Sequence, residues 1–132
     1  MEKNKIITLL HVIFKNPDEI IHTKTMKESY MSLLACQLAI TGVLMKYPSK
    51  HFKIGKTAQL NPYDRFDEEY RQKYSLFKLI YGNETLALID ELEQELIAYY
   101  QRSYPTRCDN KMIDIGPALQ GPNMGYIYIV VE

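Results

Sequence analysis

Two short segments far apart in the chain constrain its fold most. His51-Phe52-Lys53-Ile54-Gly55-Lys56-Thr57 reads as the edge of a β-strand breaking into a Gly turn. Gly125-Tyr126-Ile127-Tyr128-Ile129-Val130-Val131 reads as a closing strand of β-branched and aromatic residues. A third run, Leu76 to Tyr81, reads as a strand closed by Gly82-Asn83. Helical patterns separate these strands, so the mix predicts an α+β fold: a small antiparallel sheet of about three strands flanked by helices.

The helical patterns have their own start and stop signals. Thr25-Met26-Lys27-Glu28 has capping-box spacing, so a helix is expected from residue 25 to about Met45, stopped by Pro48. Its apolar residues (Met31, Leu33, Leu34, Cys36, Leu38, Ile40, Val43, Leu44) lie on most sides. Such a helix is buried or covered by a partner, and a homodimer through helix 25–45 is one expectation. Asn61-Pro62-Tyr63-Asp64 places an N-cap, a proline at the first helical position and an early acid, predicting a helix that carries Arg65 and ends near Tyr74. Glu84 to about Gln101 is a third helix, with Leu86, Ile89, Leu92, Leu96 and Tyr99 on its buried stripe. Ile6 to Phe14 is a strand or a short buried helix, ended by Asn16-Pro17-Asp18. Residues 104–124, rich in Pro, Gly and Asn, read as an ordered loop.

With 132 residues and 46% hydrophobic content the chain can bury a core as a single domain, 1–50 forming an extension and 51–132 the core. Sixteen basic residues balance sixteen acidic ones, so bulk charge neither announces nor excludes a nucleic-acid partner. Two cysteines, Cys36 and Cys108, are too few for a disulfide framework or a zinc site. No stretch reads as a membrane span of about 20 apolar residues, and no cleavage signal follows Ile6–Phe14. The expected setting is a reducing cytoplasm without a membrane.

Gly55-Lys56-Thr57 suggests a phosphate loop, but that motif needs a glycine where Lys50 stands. The wider pattern fits another family. Phe52-Lys53-Ile54-Gly55-Lys56-Thr57, Arg65 ten residues after Gly55, Glu93 before the apolar pair Leu96-Ile97, and Asn110 after Tyr104-Pro105 occur in order. Together they resemble the GIY-YIG nucleases, in the variant where Lys53 replaces the first tyrosine of YIG. The resemblance covers His51 to Asn110. The departure is the first strand: the GIY-like sequence, Gly125-Tyr126-Ile127-Tyr128, stands at the far end, as after a circular permutation. The rival first strand, Leu10 to Phe14, has no tyrosine at the reactive place. The permuted reading predicts that 126–131 pairs with 52–56 and that 76–81 joins the same sheet.

The resemblance implies a metal-dependent endonuclease acting on nucleic acid, DNA in the first instance, with Mg²⁺ or Mn²⁺ as cofactor. Tyr128, Lys53, Arg65 and Glu93 would be its catalytic residues, and Glu93 its metal carboxylate. Lys50, His51, Lys56 and Asn110 would contact nucleic acid. The residue types suit the chemistry. A carboxylate holds Mg²⁺ among several waters. Arg65 takes phosphate oxygens bidentately. Tyr128 or Lys53 accepts a proton if nearby positive charge lowers its pKa. Tyr126 is placed on the opposite strand face, outside the site.

Plainer readings stand beside each of these. Arg65 among Asp64, Asp67, Glu68 and Glu69 fits a solvated ion-pair face, and Glu93 within Asp90–Glu95 fits an exposed helix face. Tyr128 fits a core strand, His51 a surface histidine, and the lysines from Lys46 to Lys56 a solvated edge. On these readings the chain is a catalytically inactive domain of this fold that binds nucleic acid or a protein.

Overall fold

The computed structural model describes residues 20–111 and 116–132, with side chains from residue 28 onward. The run Ile6–Phe14 and its stop at residues 16–18 lie outside the described residues. The chain divides into two compact units, Met1–Ala35 and Cys36–Glu132. The described part of the first is the opening of helix α1, Ile20–Lys46. That helix begins five residues before Thr25, so the capping-box spacing does not mark its start. Ile20-Ile21-His22-Thr23-Lys24 contains no glycine or proline to break it. Within α1, Glu28–Lys46 is long and apolar enough to cross a membrane by length and composition alone, which revises the expectation that no stretch reaches that size.

In the second unit, α1 ends at Lys46 before Pro48, and five elements follow among the described residues: β1 (Phe52–Thr57), a π helix (Phe66–Tyr70), β2 (Leu76–Asn83), α2 (Leu86–Ser103) and β3 (Gly125–Val131). The fold is α+β, with a three-stranded antiparallel sheet flanked by helices. The strand order is β1-β3-β2, which places the last strand in the centre. Phe52 is opposite Val131, Gly55 opposite Tyr128 and Thr57 opposite Tyr126. β2 pairs along the other side of β3, with a bulge between Leu79 and Tyr81. The pairing of 126–131 with 52–56, and the place of 76–81 in the same sheet, are therefore as expected.

Strand alternation gives the sheet two apolar faces. On one, Phe52, Ile54, Ile127, Ile129 and Val131 are buried. Phe52 meets the rings of Tyr100 and Tyr104 edge-on at 6.1 and 6.0 Å, and Gly125 lies against Leu86 and Ile89 of α2. Each such buried aliphatic chain stabilises by about 1.5–3 kcal/mol. Tyr100, not Tyr99, lies on the buried stripe of α2. Its hydroxyl donates to the Gln37 carbonyl at 2.9 Å and meets the Thr41 hydroxyl at 2.8 Å, which ties the end of α1 to α2. On the other face Tyr128 and Val130 pack with Tyr70, Tyr74, Phe66, Phe77 and Leu79.

The Asn61–Asp64 start signal is used: Asn61 Oδ1 accepts from the Tyr63 amide at 3.1 Å. The helix that follows is short and wide. Phe66–Tyr70 form a π helix closed by Arg71 N–H to the Phe66 carbonyl at 3.0 Å. Among the described residues, the outer edge of β1 is covered along its first half. Phe52 N–H bonds the Arg107 carbonyl at 3.0 Å, and Asp109 N–H bonds the Phe52 carbonyl at 2.7 Å. Asn110 continues this pairing with its side chain: Oδ1 accepts from Ile54 N–H and Nδ2 donates to the Ile54 carbonyl, both at 2.8 Å. Past Ile54 the edge borders a cleft.

Candidate active site

The cleft has a volume of about 370 Å³. Lys53, Arg65, Glu93 and Tyr128 all line it, with Gly55, Lys56, Glu69 and Tyr70. Four residues spread over 75 positions of sequence are thus brought together from β1, the start of the π helix, α2 and β3.

Gly55 explains how a tyrosine on the central strand reaches a cleft at the sheet's edge. β1 runs through Gly55 as a continuous strand, so no turn forms there. The Tyr128 ring lies across the glycine, and a Cβ at residue 55 would overlap its hydroxyl and ring carbons. The absence of a side chain is therefore a packing requirement. Tyr128 is 1% exposed and donates to the Tyr70 hydroxyl at 3.0 Å. Burial pushes the Tyr128 phenol well above its ordinary value; Tyr70 adds to the rise, and the neighbouring Arg65 guanidinium offsets only part of it. This reverses the expectation of a lowered tyrosine pKa, because the cost of burying a phenolate outweighs the nearby positive charge. Tyr70, which nothing in the sequence singled out, belongs to the site. It also carries two cations over its ring, with Lys53 Nζ 5.8 Å and the Arg65 guanidinium carbon 6.0 Å from its centroid.

Arg65 forms an ion pair with Glu69 at 2.7 Å, so the ion-pair reading holds for one end of its guanidinium. Its Nε is buried without a hydrogen-bond partner. Glu93 is 4% exposed. It lies within the buried stripe of α2 beside Ile89, Leu92, Leu96 and Ile97, not opposite that stripe. The reason is helical geometry: Ile89 and Ile97 are each four residues from Glu93 and share its face. Burial raises the Glu93 pKa, and Lys56 works against that rise. The Lys56 ammonium stands 3.3 Å from Glu93 Oε1, close enough to pair but out of hydrogen-bond alignment, so Oε1 lacks a donor.

Lys56 is itself 8% exposed, and its ammonium bonds Asp90 Oδ1 at 2.9 Å. Asp90 also accepts the Leu119 amide at 3.1 Å, which holds the loop after Gly116 over the cleft. Lys56 is therefore an internal counter-ion in the cleft lining and not part of a solvated edge. Asn110 is likewise committed, at 6% exposure, to the backbone of β1. Lys50 and His51 stay exposed outside the cleft, and His51 Nδ1 pairs with Asp109 Oδ1 at 2.9 Å. Tyr126 does not line the cleft, but the face assigned to it was wrong. Residues two apart on a strand share a face; Tyr126 is kept away by its position farther along β3, against Gly82 and Met124.

Among the described residues no three His, Cys, Asp or Glu side chains gather into a ready-made metal cage. Mg²⁺ needs none, since it is commonly held by one or two carboxylates with waters and substrate oxygens. Glu93 Oε1, buried and ion-paired with Lys56 but without an aligned hydrogen-bond donor, fits that demand. No family model matches this chain, and no curated protein or solved structure matches it at a significant level.

Proposed function

We propose that this chain is a metal-dependent endonuclease of GIY-YIG type, with its GIY-like strand moved to the far end of the fold. One observation carries the reading. A buried donor, Arg65 Nε, and a buried acceptor, Glu93 Oε1, are left without hydrogen-bond partners beside one cleft. Buried polar groups are ordinarily satisfied, so such a pair points to a ligand with both an anionic and a cationic part. A phosphodiester with its metal ion is such a ligand.

Glu93 would hold Mg²⁺ or Mn²⁺, which when bound polarises the phosphate and the leaving oxygen. Arg65 binds the phosphate as a fixed planar donor. Glu69, at its far end, sets the guanidinium's angle. Tyr128 acts as a neutral hydroxyl: its proton is committed to Tyr70 and its oxygen remains an acceptor able to orient water. Lys53, on the same strand face, neutralises charge on the phosphate. Lys56 keeps Glu93 in its ionised, ion-binding form.

The test is nicking of supercoiled plasmid with and without Mg²⁺. Arg65→Ala should slow the reaction by roughly 10²-fold or more. Glu93→Gln should abolish cleavage while leaving the circular-dichroism spectrum and DNA affinity nearly unchanged, and Glu91→Gln should cleave normally. Cleavage surviving in Glu93→Gln removes the reading. The raised Tyr128 pKa and the Lys56–Glu93 pair favour a second reading, a catalytically inactive domain that binds nucleic acid. That reading predicts DNA binding with no nicking under any divalent ion.

A further inference from the structure

We propose that the cleft is one end of a longer track for a nucleic-acid strand, which leaves along the cations covering the buried Tyr70 and Tyr74 rings towards His51, with Lys73 as its outer phosphate contact. The proposal rests on the nuclease reading of the cleft and adds its direction and extent. Three cations are ranged over two tyrosine rings. Lys53 and Arg65 stand over Tyr70, and Lys73 Nζ lies 5.3 Å from the Tyr74 centroid. The two ring centroids are 5.9 Å apart. The cations over these adjoining rings therefore follow one another outward from the cleft.

Asp109 anchors the outer end from below. It accepts the Tyr74 hydroxyl at 2.7 Å and meets His51 Nδ1 at 2.9 Å, with Lys73 Nζ at 3.5 Å. Its side chain is only 18% exposed, whereas those of Lys73 and His51 are 64% and 46% exposed. The carboxylate thus sits beneath, and the cation and the imidazole reach the surface. Burial works against the Asp109 charge, but the Tyr74 and His51 hydrogen bonds hold its pKa below the ordinary range.

The other end of the cleft has the opposite sign. Gln59, which follows β1 and lines the cleft, donates to Glu68 at 3.0 Å. A polyanion is repelled there and attracted along Lys53 and Lys73. The strand is directed one way, from the finish of β1 towards its start.

The experiment is fluorescence anisotropy with a labelled DNA oligonucleotide, single-stranded and as a duplex, without divalent ions and across a salt series. Lys73→Gln should weaken binding several-fold and lower the slope of log Kd against log salt by about 0.7–0.9, the loss of one phosphate contact. Glu68→Gln should bind as tightly as the wild type or tighter. Lys73→Gln with unchanged affinity and slope, or Glu68→Gln with weakened binding, overturns the track. Plasmid nicking by the wild type separates the two ideas. If nicking is present and Lys73 is neutral in binding, only the track fails. If nicking is absent but the slope depends on Lys73, the track stands and the catalytic reading fails.

Discussion

Replacing Lys56 by methionine should destabilise this protein by an amount that depends on pH. The substitution keeps a straight apolar stem in a site where the lysine side chain is 6% exposed, and it removes the ammonium between Asp90 and Glu93. Asp90 is partly exposed and retains the Leu119 amide. Glu93 has neither recourse: it is buried, and Lys56 is the main influence opposing the rise of its pKa. Without Lys56 the carboxyl takes up a proton on folding. From an ordinary value of 4.5, holding that proton at pH 7 costs about 3 kcal/mol, at 1.36 kcal/mol per unit. The sign is fixed by linkage. A folded pKa above the unfolded one means that the folded state binds more protons, so stability falls as pH rises above 4.5 towards the folded value. Because burial already raises the Glu93 pKa in the wild type, the loss relative to wild type should be at most about 3 kcal/mol at pH 7 and under about 1 kcal/mol at pH 5. Urea unfolding across that range measures it. Glu93→Gln placed in the Lys56→Met background should recover most of the loss, because the group to be neutralised is gone. A loss that does not vary with pH, or one below about 0.5 kcal/mol at pH 7, would show that Lys56 is not what keeps Glu93 charged.

Two further substitutions test the packing of the site. Gly55→Ala should destabilise by about 1–3 kcal/mol, the range for overfilling a packed interior, and should cut nicking, since the Tyr128 ring is held between Phe77 and Tyr70 and cannot yield freely; thermal melting and the plasmid assay read both. Asn110→Ala should cost about 2–4 kcal/mol in urea unfolding by leaving the Ile54 N–H and carbonyl unpaired, while DNA affinity stays within about twofold, which separates a backbone clamp from a nucleic-acid contact.

The strands were legible because their sequences alternate or run apolar with β-branched and aromatic residues, and that pattern survives in the buried faces of β1 and β3. Their pairing was legible because Lys53-Ile54-Gly55 and the closing tyrosines resemble parts of one nuclease site. Glu93 was picked out by the same resemblance, but its burial was not foreseen. A carboxylate in the run Asp90-Glu91-Leu92-Glu93 reads as surface, and the lysine that makes its burial tolerable comes from a different strand. Lys56 was misread for the complementary reason: a lysine near the edge of a sheet is ordinarily solvated. Asn110 followed the resemblance into a binding role, although an amide matched to both backbone groups of one residue acts like another strand. Tyr70 went unnoticed because it closes an acidic helix, and only the π turn brings its hydroxyl to Tyr128. The chain has 11 tyrosines and no tryptophan; Tyr70, Tyr74 and Tyr128 form one cluster and Tyr100 and Tyr104 another, with hydroxyls of Tyr70, Tyr74, Tyr100 and Tyr128 bonded to polar partners.

A sheet whose central strand is the last to be made has an order of assembly built into it. β1 and β2 are not ladder partners of one another; in the sheet each pairs with β3. On a ribosome both are synthesised long before Gly125–Val131, and until then Phe52 and Ile54 have no sheet to close over them. Long loops must be fixed before any ladder rewards them, which slows folding and leaves two unpaired edges exposed meanwhile. Tyr128 arrives on that same strand. The event that completes the sheet also completes the cleft, so a chain that has not yet added β3 has neither.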